Sequence, residues 1–282
     1  MTRDPIQPLI RAGVYIILCY APVFFFGWLF LFVGNLLAGS ILAIFSFSLF
    51  ANFLCLRIFE EKGLEAMAMP ANRPALFNAL TGTALGLLAA LLVVLPPLWI
   101  GHAHEIAVSG ARANWREQMF VPFMLLLGAA GEEILFRGFG FQILLRAFGP
   151  WSAVLPIGVL FALMHSNNPN TSLLGLANTA GFGILFGYAF VRSHDIWYPL
   201  GMHFGWNLTL LLLGANISGI AMHVTNYTLS WTRPDVLWSG GDYGPEASLL
   251  TTLALAVLAV AVWKLRIFRQ RAILLDDPRN AE

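Results

Sequence analysis

The stretch 119–145 is apolar enough to cross a bilayer, yet its middle reads Gly131-Glu132-Glu133-Ile134-Leu135-Phe136-Arg137. A charged residue at the centre of a membrane helix costs roughly 2.5–3.5 kcal/mol on insertion scales. Two adjacent carboxylates are harder to place than one, because desolvation and mutual repulsion both oppose their ionisation. The rest of the chain has to surround this helix with partners. Later segments offer His165, His203 and Asn207.

Spacing separates the two glutamates. Glu133 and Arg137 stand at i and i+4, acid first, on one helical face and in the better orientation for an ion pair. Glu132 lies about 100° around the helix from Glu133 and has no such local partner. Glu133–Arg137 therefore reads as a structural ion pair and Glu132 as the carboxylate left for chemistry. Ionisable groups inside a membrane mark functional sites by default.

Composition settles the class. Of 282 residues, 58% are hydrophobic and only 11% charged, against about 25% charged in a soluble domain. The sequence predicts an all-α polytopic membrane protein, one transmembrane domain over 1–282 embedded in a lipid bilayer. The net charge of +1 comes with no basic run, which gives no reason to expect a nucleic-acid partner. Cys19 and Cys55 both sit in apolar runs without CxxC or metal-ligand spacing, so neither a disulfide framework nor a zinc site follows. The N-terminal segment has no small-residue cleavage site before its apolar stretch and reads as a retained first helix.

Eight apolar segments of near-spanning length can be drawn, at about 13–34, 38–58, 76–99, 119–145, 151–165, 172–191, 196–214 and 247–265. Gly34-Asn35 and Gly39-Ser40 turn the first into the second. The 57–75 segment, with mixed charge and Pro70 and Pro74, reads as a juxtamembrane linker. The loop 100–118 reads as unstructured, and its His102 and His104 as no metal site. With the N-terminus in the cytoplasm, Arg3, Arg11, Arg57, Lys62, Arg73, Arg146, Arg192, Lys264, Arg266, Arg269 and Arg271 fall inside, and Arg112, Arg116 and Arg233 outside. That asymmetry predicts a multi-pass protein with both termini cytoplasmic; the membrane is expected to be a cell membrane, of bacterial inner-membrane type.

The polar residues converge in this scheme. Taking Phe148-Gly149 as the tip of a helical hairpin, Glu132 lies sixteen to seventeen residues before it and His165 as many after it. Equal rise on two antiparallel helices brings them to one depth. The fifth segment is short, about 22 Å at 1.5 Å per residue against a hydrocarbon core of about 30 Å. Ser166-Asn167-Asn168-Pro169-Asn170 would then begin inside the membrane, where irregular backbone survives only beside protein or a water-filled cavity. In the seventh segment His203 and Asn207, again i and i+4, face one interior point. Gly201 and Gly205 on a nearby face would let another helix come close. The site is expected inside the bundle.

Three motifs then stand in order: Glu132–Arg137 fits EExxxR, Phe161–His165 fits FxxxH, and His203–Asn207 fits HxxxN. Together they resemble the CPBP family of CAAX proteases and bacteriocin-processing enzymes, also called abortive-infection proteins and related to type II CAAX prenyl endopeptidases. The resemblance implies an intramembrane endopeptidase of the glutamate type, without a cofactor or metal, its core at about 118–214. Glu132 and His165 would activate a water, and His203 and Asn207 would stabilise the oxyanion. The chemistry is consistent: a carboxylate beside an imidazole is a general-base pair at neutral pH, and Asn with His donates to a developing oxyanion. The partner implied is a membrane-associated protein or peptide, whether prenylated or bearing a leader or anchor. Two other classes remain. The same residues could hold a zinc as a two-His, one-carboxylate metalloprotease, although the chain has no HExxH. A transporter or a non-catalytic immunity protein is the alternative that is not an enzyme.

Overall fold

The computed structural model describes residues 6–33, 36–108, 114–222, 224–232 and 235–276. The Gly34-Asn35 turn and the positions expected for Arg3, Arg112 and Arg233 lie outside the described residues. Within them the helices are α1 (Ile6–Phe26), α2 (Leu36–Glu60), α3 (Arg73–Trp99), α4 (Trp115–Arg137), α5 (Phe139–Phe148), α6 (Pro150–Met164), α7 (Leu173–Ser193), α8 (Trp197–Leu212), the short α9 (Val236–Ser239) and α10 (Leu249–Lys264). Many starts are written locally. Side chains of Asn72, Ser172 and Ser248 accept the N–H groups of Ala75, Gly175 and Thr251 at the heads of α3, α7 and α10.

The chain is an all-α polytopic membrane protein. Five segments have the length and apolarity to cross: Ile6–Phe32, Leu36–Glu60, Arg73–Trp99, Trp115–Phe148 and Leu173–Ser193. The remaining expected spans are helical but shorter, α6 with 15 residues and α8 and α10 with 16 each. At 1.5 Å per residue they reach only about 22–24 Å, less than the hydrocarbon core of about 30 Å.

The fourth segment departs from the expected single helix. It breaks at Gly138, where a Cβ would collide with the Ile134 carbonyl and the Asn52 amide. Backbone groups freed inside a bilayer need partners, and α1 and α2 supply them. Asn52 Oδ1 accepts the Phe139 N–H (2.8 Å), and the Tyr15 hydroxyl donates to the carbonyls of Ile134 and Leu135 (2.8 and 3.0 Å). In consequence α4 packs on α2 and α8, while α5 packs on α1 and α6. The expected hairpin of two long antiparallel helices is therefore replaced by a bent one. Its predicted tip is a tight joint at Gly149, in the left-handed region at φ +84°.

The closest helix pair is α3 with α8. Cβ atoms built on Gly82 and Gly86 would strike the α8 backbone at Tyr198 and Met202, and those on Gly201 and Gly205 would strike the α3 backbone at Ala79 and Thr83. The close approach expected of Gly201 and Gly205 is met, with α3 as the partner. His203 and Asn207 lie about 200° around from Gly201 and Gly205 respectively, at 100° per residue. Clamping α8 on one face thus presents the other to the bundle interior.

Two long-range features had no signal in the sequence. In the loop expected to be unstructured, Ala103–Ala107 (β1) pairs antiparallel with Tyr227–Trp231 (β2), Ala103 opposite Trp231. This gathers the loops before α4 and after α8 at one end of the bundle. At the other end the segment after α10 folds back: Phe268 N–H donates to Asn78 Oδ1 (3.0 Å) and Gln270 N–H to the Ser193 carbonyl (2.7 Å). Glu60 also gathers Arg11 (3.0 Å) and Arg146 (2.8 Å) there.

Candidate active site

Glu133 and Arg137 lie on the most enclosed face of α4, both side chains fully buried. Arg137 Nη1 donates to Glu133 Oε1 (3.3 Å) and stands 3.2 Å from Oε2, while its Nη2 donates to the Gly183 carbonyl on α7 (2.7 Å). The rings of Phe136, Phe161 and Phe186 surround the guanidinium at 5.5–5.8 Å. A cation held this way by a carboxylate, a carbonyl and aromatic faces joins α4, α6 and α7 at one point. Spacing alone did not show that Glu133 has a second partner. His203 Nδ1 lies 3.0 Å from Glu133 Oε1, and its ring stacks on Phe186 at 5.2 Å. The ion pair therefore reaches into the site through an imidazole.

Glu132 points elsewhere, with a quarter of its side chain exposed. Its Oε2 is buried without a hydrogen bond, 3.9 Å from His165 Nε2 and 3.8 Å from His203 Nε2. These gaps are too long for direct hydrogen bonds. His165 is the C-cap of α6, and its Nδ1 is 2.8 Å from the Phe161 carbonyl. A carbonyl only accepts, so Nδ1 carries the proton, and in the neutral ring Nε2 turns a lone pair towards Glu132. His203 has the mirror constraint. With Nδ1–H given to Glu133, its Nε2 donates only when the ring is doubly protonated.

A cavity of about 30 Å³ adjoins this cluster, lined by His165, His203, Asn207, Thr179, Ser218 and Glu246 among others. A water needs roughly 10–15 Å³ of such space. Of the four residues named as catalytic from the sequence, His165 and His203 stand around the Glu132 oxygen, and Asn207 lines the cavity together with both histidines. Glu246 was missed. It lies 39 residues beyond the last motif, in a loop where nothing in the local sequence separates it from a solvated acid.

Among the described residues no group of three His, Cys, Asp or Glu side chains is arranged to hold a metal ion. His102 and His104 stay on the loop end, His104 Nδ1 against Thr232 Oγ1 at 3.2 Å.

Comparison with known families bears on residues 114–209, which match the model described as type II CAAX prenyl endopeptidase, Rce1-like. This core is similar to that family. The match bears out the resemblance to the CPBP family, and it encloses Glu132, Glu133, Arg137, His165, His203 and Asn207. No curated protein matches the chain. The similarity of the core supports a CAAX-type intramembrane protease in general, working in the bilayer on a membrane-associated protein. Helices α1–α3 and the loop bearing Glu246 lie outside the matched residues.

Proposed function

We propose that the protein is an intramembrane endopeptidase in which Glu132 and His165 share and activate one water. The observation that carries this reading is the unpartnered Glu132 oxygen 3.9 Å from a His165 Nε2 whose lone pair faces it. A water between them donates one hydrogen to each. Its oxygen adds to the scissile carbonyl carbon while its proton passes to the Glu132 carboxylate. Glu132 then gives that proton to the leaving nitrogen as the C–N bond breaks, and returns ionised. Asn207 and the doubly protonated His203 donate to the oxyanion. Glu133 and Arg137 form the structural ion pair that holds His203 in place.

The catalytic core is about 118–214 of a single transmembrane domain, with both termini in the cytoplasm. Its substrate is a protein held at the membrane by a prenyl group, a leader or an anchor. Comparative proteomics of membrane fractions from cells carrying the wild type or Glu132→Gln tests this. Shortened membrane proteins should be present only with the wild type. Identical fragment sets would support a role without turnover. Loss of those fragments on chelation, with metal in the purified protein, would favour the zinc reading instead.

A further inference from the structure

Glu246 is a carboxylate on the cavity lining, which includes neither Glu132 nor Glu133, and the mechanism above does not use it. It sits in the tight turn Pro245–Ala247 just before α10 and is only 7% exposed. Oε1 accepts from the Trp206 indole (3.0 Å). Oε2 accepts from both the Ser218 N–H and the Ser218 hydroxyl, the latter at 3.0 Å. Its backbone carbonyl accepts from Asn178 on α7 (2.8 Å). With both oxygens occupied by donors, this carboxylate is poorly placed to take a proton from water. Its chemistry is that of a grip. An ionised carboxylate accepts on both oxygens, whereas an amide accepts on one.

The gripped groups are informative. Trp206 directly precedes Asn207 on α8, and its ring packs 4.7 Å from Phe182. Ser218 has φ +49°, a region that residues with a Cβ seldom adopt, and its carbonyl accepts from Asn168 in the polar segment after His165 (3.0 Å). Gly219 N–H donates to the Tyr243 carbonyl (2.9 Å) and ties the same turn to the start of the Glu246 segment.

We infer that Glu246 is a positioning residue that latches the Ser218 turn to the head of α10 as a fixed wall of the cavity. It orients Trp206 beside Asn207 and closes the site to water and substrate from the loop side. The inference rests on reading this cavity as the catalytic one, but its test needs no proteolysis.

The full-length protein is prepared in detergent with Cys19→Ala and Thr179→Cys, leaving native Cys55 as a buried reporter far from the loop. Thr179 lines the cavity and is 7% exposed. Modification by 2-sulfonatoethyl methanethiosulfonate is followed by intact mass, with Glu246 or with Glu246→Ala or Glu246→Gln. With Glu246, both thiols should react slowly. Glu246→Ala should speed reaction at position 179 roughly 5- to 150-fold, the equilibrium equivalent of leaving one buried polar group unsatisfied. Cys55 should keep its rate, and Glu246→Gln should fall between. Fast reaction at position 179 with Glu246 intact, or no acceleration in Glu246→Ala, would overturn the latch. Equal acceleration of Cys55 would overturn it too, by showing general loosening. Because labelling reports only the wall, these results stand apart from whether Glu132→Gln abolishes proteolysis.

Discussion

At position 133 one carboxylate serves two neighbours, the guanidinium of Arg137 and the imidazole of His203. Breaking a buried pair by removing one partner typically costs about 3–5 kcal/mol, because the other charge is left unpaired. Arg137→Ala is therefore expected to lower the yield of folded protein and its thermal stability in detergent. Glu133→Gln should do the same and also free the His203 ring. Normal stability in both variants would show that the structural role had been given to the wrong residues. Part of this was legible in the chain: an i, i+4 acid–base pair inside an apolar run has few other uses. The His203 contact was not legible, because it depends on how α8 is rotated, and that is set by α3. Glu246 was hidden for a similar reason. Its donors lie 28 and 40 residues away in the chain, and no local period connects them.

Helix packing explains which elements could be read ahead. Apolar runs marked every long helix, since burial in lipid demands them whatever the neighbours. The break at Gly138 escaped because apolar residues continue through it, and only Asn52 and Tyr15, from distant helices, make the break affordable. The β1–β2 pair and the returning C-terminal segment escaped in the same way, as contacts between remote stretches of chain. The Gly201/Gly205 face was legible because small residues four apart permit close approach, although the sequence did not name α3 as the partner. A substitution series checks that clamp. Gly86→Leu should separate α3 from α8, since even a Cβ at Gly86 meets the Met202 carbonyl and the Trp206 N–H (2.7 Å). It should lower both stability and proteolysis, because α8 carries His203 and Asn207. Gly13→Ala, with nothing within 4 Å of the added Cβ, should leave both unchanged. A stable, active Gly86→Leu protein would mean that α8 is positioned by something other than this contact.

The whole molecule sorts its charge by end. Arg11, Arg57, Lys62, Arg73, Arg146 and Arg192 gather with the returning C-terminal segment, whereas Arg116 lies at the end that holds the β1–β2 pair. By the positive-inside rule we propose that the first end is the cytoplasmic one. Single cysteines at 57–75 should react from the cytoplasmic side, and those at 216–246 only from the opposite one. Reaction of 216–246 from the cytoplasm alone would overturn the expected span count. Between the two ends lies the claim on which the account depends most, that Glu132 and His165 act on a single water. It is tested by rates of cleavage, in reconstituted vesicles, of a membrane protein that accumulates uncut with Glu132→Gln. Glu132→Gln keeps the shape and removes the base, for an expected loss of roughly 100- to 10,000-fold. His165→Ala should lose nearly as much, and Asn207→Ala about 100- to 1000-fold as one oxyanion donor. Groups that act as a unit do not lose rate independently, so Glu132→Gln/His165→Ala should cleave hardly more slowly than Glu132→Gln alone. Losses that multiply in the double variant, or a Glu132→Gln protein that keeps most of its rate, would contradict the shared water.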